Sequence, residues 1–228
     1  MIDYIVTRDV ENHCFIVKGN FIPGSIPINI PNTDRKRNTF ISLFLNKKDI
    51  ESGIDYLHCI SLDKHFKVNE GLFLAALSNL LKCFQNAESR YMLSEEKFKK
   101  FAPQLANEYE RFKLWRNKHF LHDVNSMTET SAFLLLAPEN SGQKWGGEPS
   151  VIWNDYPINY LTESKKLEEV MQGAWQFIVQ EIDNVGKMII DEYNKKTREE
   201  LLTYGVANIK LASIEALSEP RIAKKEKS

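Results

Sequence analysis

Lys165-Lys-Leu167-Glu-Glu-Val170-Met171-Gln-Gly-Ala174-Trp175-Gln-Phe-Ile178-Val-Gln-Glu-Ile182-Asp-Asn-Val185-Gly-Lys-Met-Ile189-Ile-Asp-Glu-Tyr193-Asn-Lys-Lys-Thr197 is the longest periodic stretch of the chain. Leu167, Val170, Met171, Ala174, Trp175, Ile178, Ile182, Val185, Ile189 and Tyr193 recur at steps of three and four. That spacing places them on one face of a helix of about nine turns. A helix of that length with one apolar stripe needs helical partners, so the stretch predicts a bundle. Downstream, Thr197–Leu217 either extends this helix or adds a last one, with Gly205 as the weak point, and the tail from Ile222 is expected to fray.

Upstream, Glu70–Asn86 places Phe73, Leu77, Leu80, Leu81 and Phe84 on one face, widened by Leu72, Leu74 and Ala76. Cys83 falls among them as a small core residue. Ile50, Ile54, Leu57 and Ile60 predict a short amphipathic helix after Asp49. Ser94-Glu95-Glu96 has the form of an N-cap followed by acids that favour the positive end of a helix. Pro103 predicts a kink or a fresh start, beyond which Leu105, Tyr109 and Phe112 make a further stripe. The fold class is therefore mainly α.

Two regions have a different texture. In the first forty residues, Tyr4-Ile-Val-Thr and Cys14-Phe-Ile-Val read as a small hairpin, followed by an extended arm punctuated by Pro23, Gly24, Pro27 and Pro31. The basic run Asp34-Arg-Lys-Arg37 then reads as a solvated surface loop. The second region is an insertion over 124–164. Ala132–Ala137 is either helix or buried strand, and Val151–Tyr160 alternates with three aromatics as a short hairpin. A connection this long inside a bundle is uncommon and often functional. The expected organisation is an arm over 1–40, a helical bundle over 41–205 containing that insertion, and a C-terminal helix and tail over 206–228.

The 228 residues hold 30 Lys+Arg against 31 Asp+Glu. This balance argues against a generally basic, nucleic-acid-coating protein but leaves room for a local phosphate site. No apolar run reaches the length of a membrane span, and the acid-bearing N-terminus does not read as a secretory signal. Three cysteines (Cys14, Cys59, Cys83) without a CxxC pair predict reduced thiols in a cytoplasmic protein.

The chemistry concentrates in Phe112-Lys-Leu-Trp-Arg116-Asn117-Lys118-His119-Phe120-Leu121-His122-Asp123. His13, His58 and His65 stand alone and read as surface or packing residues. If the helix continues, the face of Leu105, Tyr109 and Phe112 passes to Arg116, His119 and Asp123, so a burial-prone face turns cationic and needs partners. Arg116 and His122 lie six residues apart, about 120° around an ideal helix and ~9 Å along it. They converge only if the helix ends or bends near His119, or if a two-fold axis brings copies of this segment from two subunits together. The same residues also fit a helix end whose side chains satisfy terminal carbonyls. No further ligands accompany His119 and His122 at a zinc-site spacing, so no metal or other cofactor is expected.

Arg116 and Asn117, with His122 six positions after the arginine, resemble the R-x4–6-H signature of the HEPN superfamily. The string Arg-Asn-Lys-His-Phe-Leu-His-Asp is similar to the form found in abortive-infection-type HEPN proteins, with Leu121 where a small residue is more usual. The resemblance spans roughly residues 45–200. It implies a HEPN-like helical bundle that homodimerises around the motif and acts as a metal-independent endoribonuclease of the toxin or phage-defence type. Arg116 would hold the scissile phosphate, and Asn117 would orient the phosphate or the arginine. His122 would handle the proton of the attacking 2′-OH or of the leaving 5′-oxygen. Lys118 and His119 are candidate helpers, with Tyr109 and Asp123 behind them as supports or packing. The products would carry 2′,3′-cyclic phosphate and 5′-hydroxyl ends. The partners implied are RNA, a second copy of the chain and, since no nucleotidyltransferase segment is present, a separate antitoxin or regulatory protein. The rival readings are a non-catalytic module that binds RNA, nucleotide or protein at the same cleft, and an interaction protein that uses Val151–Tyr160.

Overall fold

The computed structural model describes residues 5–9, 14–18, 25–26, 28–85, 90–117, 128–155 and 158–205. The elements are β1 (Ile5–Asp9), β2 (Cys14–Lys18), α1 (Arg35–His58), α2 (Phe66–Lys82), α3 (Glu95–Phe101), α4 (Ala106–Trp115), β3 (Thr128–Phe133), β4 (Ser150–Asp155), α5 (Tyr160–Tyr193) and α6 (Arg198–Leu202). The described chain is mainly helical, and its helices form a bundle. No helix among the described residues is long and apolar enough to cross a membrane.

α5 is the axis of the bundle. Its 34 residues extend about 50 Å and bury Leu167, Val170, Met171, Ala174, Phe177, Ile178, Ile182 and Ile189. Trp175 and Val185, also expected on the stripe, are only partly buried. α1 runs antiparallel along α5. Lys36 pairs with Glu192 at one end of the seam, and the His58 ring meets Glu168 at 3.0 Å at the other. α2 packs on both helices and buries Phe73, Ala76, Leu77, Leu80 and Leu81. The three meet at Gly53 of α1, where a Cβ would run into the Met171 methyl of α5 and lie 3.3 Å from the Ala76 carbonyl of α2. Glycine at this point lets the backbones approach closely.

The Arg35–Arg37 run, expected as a solvated loop, is instead the first turn of α1. Three cations at the positive end of a helix are unfavourable, and the structure answers them with acids. The Asp34 side chain caps the helix by accepting from the Lys36 N–H at 2.8 Å, and its second oxygen accepts from the Tyr193 hydroxyl at 3.3 Å. Burial, and then the charge of Asp34, push the Tyr193 phenol up to about 12. α1 is accordingly much longer than the short helix expected after Asp49.

Elsewhere the local signals are realised in the backbone. Ser94 caps α3 by accepting from the Lys97 N–H at 3.2 Å, and Pro103 opens a 3₁₀ turn, Pro103–Leu105, that restarts the chain as α4. Thr197 and Glu200 form a reciprocal capping box on α6, and Gly205, three residues past the end of that helix, takes φ +74°. Residues 206–228 lie outside the described part of the chain.

β1 pairs antiparallel with β2, Ile5 opposite Lys18. In the insertion, β3 pairs antiparallel with β4 from Thr128 opposite Asp155 to Phe133 opposite Ser150, with a further bridge between Leu136 and Trp145. Two expectations are corrected here. The hairpin does not close within 151–160, because Val151–Asp155 pairs back to β3 and Tyr160 already belongs to α5. Ala132–Ala137 is neither helix nor buried strand: β3 ends at Phe133, and Leu134, Leu135 and Leu136 are exposed.

Two glycines of the bundle should respond oppositely to substitution. Gly71 of α2 has open space where a Cβ would go, so Gly71→Ala should raise stability by up to about 1 kcal/mol through helix propensity. Gly53→Val should lower it by about 1–3 kcal/mol through overpacking at the three-helix contact. Urea midpoints with unchanged slopes would register both.

Candidate functional site

The site is built at the end of α4. This helix is held against the bundle by Tyr109 and Phe112, both fully buried. Arg111 fixes it further. Its guanidinium lies over the Phe112 and Trp115 rings at 4.5 and 4.6 Å and pairs with Glu108 of its own helix and, at 2.6 Å, with Glu163 in the first turn of α5. Trp115 packs partly buried beside Phe112 and Phe73. The direction in which α4 delivers the next residue is therefore set by packing on three sides.

That residue is Arg116, half-buried, whose N–H closes the helix on the Phe112 and Lys113 carbonyls. Arg116 and Asn117 take π-helical geometry, so the ideal 100° step does not hold at these two residues. Arg116 Nη1 donates to Asn117 Oδ1 at 3.1 Å. The second partner is Gln85, just past the end of α2. A guanidinium offers only donors, so the Gln85 amide turns its oxygen toward it. In that orientation Oε1 accepts from Nη1 at 2.6 Å and from Nη2 at 3.2 Å. Both partners are neutral, and no carboxylate among the described residues forms an ion pair with Arg116.

Two other arginines of the bundle, Arg90 and Arg111, differ, whereas Arg37 likewise donates to a neutral amide, Asn38 Oδ1 at 3.3 Å. Arg90 is paired with Asp49 and also reaches Asn46 Oδ1 at 3.4 Å, and Arg111 has its two glutamates. These are structural cations with their charge answered in place. Among the described residues Arg116 is oriented by neutral dipoles alone, which fix the fork without cancelling its charge, a state suited to gripping a phosphate or carboxylate.

Of the residues singled out in the sequence, the structure joins Arg116 and Asn117. Lys118, His119, His122 and Asp123 lie outside the described residues. Tyr109 is a core residue, its ring against Phe84 and Phe98 at 5.1 and 5.5 Å. Its buried hydroxyl makes no hydrogen bond of normal geometry. Burial, and then the neighbouring Glu95 carboxylate, hold the phenol far above its usual range. His58 meets Glu168, and the His65 ring caps α2 by accepting from the Lys67 N–H at 3.3 Å. His13 lies outside the described residues. Cys83 is buried, its thiol against the Asn79 carbonyl at 3.3 Å and pushed up to about 12 by burial. Cys59 is exposed. Among the described residues no cluster of His, Cys, Asp and Glu is arranged to hold a metal.

Sequence reasoning missed Gln85 because a single glutamine beyond a helix end carries no local signal. Only the packing of α2 against α4 brings it to Arg116. Two surface hollows of about 310 Å³ flank Gln172 and Gln176 of α5, one bordered by Phe101, Gln104 and Leu105 and the other by Glu51, Asp55 and Trp175. Neither includes Arg116. No protein-family model, no curated protein and no solved structure matches the chain.

Two side chains give direct checks on this environment. Tyr109→Phe removes a buried hydroxyl that has no good partner, so the thermal midpoint should hold or rise, against the usual loss for a satisfied buried group. A thiol reagent at neutral pH should modify Cys59 in the folded protein and reach Cys83 only on unfolding, as followed by mass mapping of the peptides that carry each cysteine.

Proposed function

We propose that the chain is an RNA-cleaving protein of HEPN type, a homodimer whose cleft carries Arg116, Asn117 and His122 from each copy. The observation that supports this reading is the state of Arg116, a guanidinium delivered at a helix end and oriented by two neutral amides. Such a group is prepared for an anion that arrives from outside the fold. The motif around it supplies the rest of the chemistry that RNA cleavage needs.

In this reading Arg116 donates to the non-bridging oxygens of the scissile phosphodiester and stabilises the charge that develops there. An imidazole with its ordinary pKa near ~6.5 suits proton transfer at neutral pH. His122 takes the proton as the ribose 2′-oxygen attacks phosphorus, and the bond to the 5′-oxygen breaks. The His122 imidazole of the second copy supplies a proton to that leaving oxygen. One strand then ends in a 2′,3′-cyclic phosphate and the other begins with a 5′-hydroxyl. The same Arg116 would also serve a module that grips RNA without cutting, and the two readings part at His122.

The test is incubation of the purified chain with labelled total RNA in EDTA, beside His122→Ala. Wild-type protein should cut and leave cyclic-phosphate ends, while the variant should lose on the order of 10²–10⁴ in rate, the usual contribution of a positioned proton-transfer group. Equal cutting by the variant would sink the assignment. RNA binding by both proteins, with cutting by neither, would move the reading to the non-catalytic module.

A further inference from the structure

Arg116 has five N–H donors, and the described contacts use them unevenly. Nη1 spends one hydrogen on Asn117 Oδ1 and the other on Gln85 Oε1, and Nη2 spends one on the same Gln85 oxygen. Gln85 thus occupies the end of the fork, the edge shared by Nη1 and Nη2. Asn117 takes the remaining Nη1 hydrogen, which faces the arginine's own stem. Among the described residues nothing accepts from Nε or from the second Nη2 hydrogen. These two N–H groups point the same way and form the side edge of the guanidinium, spaced to meet two oxygens of one phosphate.

We propose that Gln85 is a positioning residue for this site. By filling the end edge of Arg116 with a neutral oxygen, it leaves the side edge as the one bidentate face, so that a single phosphodiester group of an RNA strand docks side-on. This rests on the reading of Arg116 as the phosphate-binding group and adds to it the direction of approach and the residue that sets it. Neutrality is what gives Gln85 its value. A glutamate there would hold the same fork at least as firmly, but would answer its charge internally, as Glu163 does for Arg111 and Asp49 for Arg90.

A purely structural Gln85 and a positioning Gln85 make opposite forecasts for that change. As a structural tether, Gln85→Glu would be harmless or better, since it exchanges a neutral hydrogen bond for a charge-assisted one. As a positioning residue, it would leave the fold intact and disable the site. Gln85 is exposed and sits beyond the helix end, so its substitution by Glu or Ala does not disturb the core.

The experiment measures binding of the full chain to a single-stranded oligoribonucleotide with 2′-O-methyl sugars, which lacks the attacking hydroxyl and stays uncut. Binding is followed by fluorescence anisotropy over a range of salt, with thermal midpoints recorded beside it. Arg116→Ala and Gln85→Glu should both weaken binding and flatten the log affinity against log salt line by about 0.7, the value of one phosphate contact on a single strand. Gln85→Glu should keep or raise the thermal midpoint. Gln85→Ala, which frees the fork without neutralising it, should weaken binding by roughly 2- to 10-fold, the loss of one hydrogen bond, with the salt slope retained. If Arg116→Ala loses affinity while Gln85→Glu binds like wild type, Gln85 has no positioning role and the reading of Arg116 stands. If Arg116→Ala binds RNA unchanged, the reading of Arg116 as the phosphate group falls, and the role of Gln85 with it.

Discussion

Everything in this molecule follows from the need to bury one side of α5. A helix of 34 residues with an unbroken apolar stripe cannot be covered by a single neighbour, so partners are recruited along its whole length. α1 lies antiparallel beside it, α2 wedges into the seam, and α3 with α4 closes the remaining side through Phe98, Tyr109 and Phe112. Side-chain burial of this kind contributes roughly 1.5–3 kcal/mol for each large apolar residue, far more than the exposed ion pairs that decorate the surface. The Lys36–Glu192 ion pair and the His58–Glu168 contact mark the two ends of the α1–α5 seam.

The site is a by-product of the same packing. α4 can end only where Tyr109, Phe112 and Trp115 finish their contacts with the core, and Arg116 is the first residue past that point. α2 ends nearby for the same reason, and the core residues just past it, Cys83 and Phe84, leave Gln85 at the surface. Two helices that stop together at the rim of one core thus bring an amide to a guanidinium with no sequence motif linking them. The buried staple at Asn46 serves the neighbouring segment in the same way: it donates to the Tyr91 carbonyl at 3.2 Å and holds 90–94 across α1.

How much of this could be read from the residues depended on whether a structural job was written in apolar letters. α5, α2 and the α3–α4 break were legible because Leu, Val, Ile, Phe and Pro carry strong periodic or local signals. α1 was half-legible. Its buried face includes Ser42, Asn46 and Gly53, residues that count as polar or as breakers, and its first turn holds three cations that argue against a helix start. The local Asp34 cap is joined by the tertiary partners Glu192 and Tyr193, some 160 residues away, in making that start favourable. The insertion misled for a related reason: Leu134-Leu135-Leu136 reads as core, yet the hairpin leaves it exposed. In the candidate site Arg116 and Asn117 were legible as a motif, whereas Gln85 depends on a contact between two helix ends that no local pattern encodes.

Trp115 and Tyr160 both rest on the ring of Phe73, at 6.4 and 5.5 Å between centroids. α4 therefore ends and α5 begins on a single aromatic anchor, so the two ends of the connection between them lie close together. The entropy of closing such a loop grows only logarithmically with its length, about 0.6 kcal/mol for each doubling. The connection can be lengthened, shortened or exchanged for another at small cost to the helices beneath. Because this connection begins at Arg116, the candidate site sits at its root, and the freedom to rewrite begins beyond the motif. The helical bundle then acts as a socket, and the fitting it carries can change while the socket stays the same.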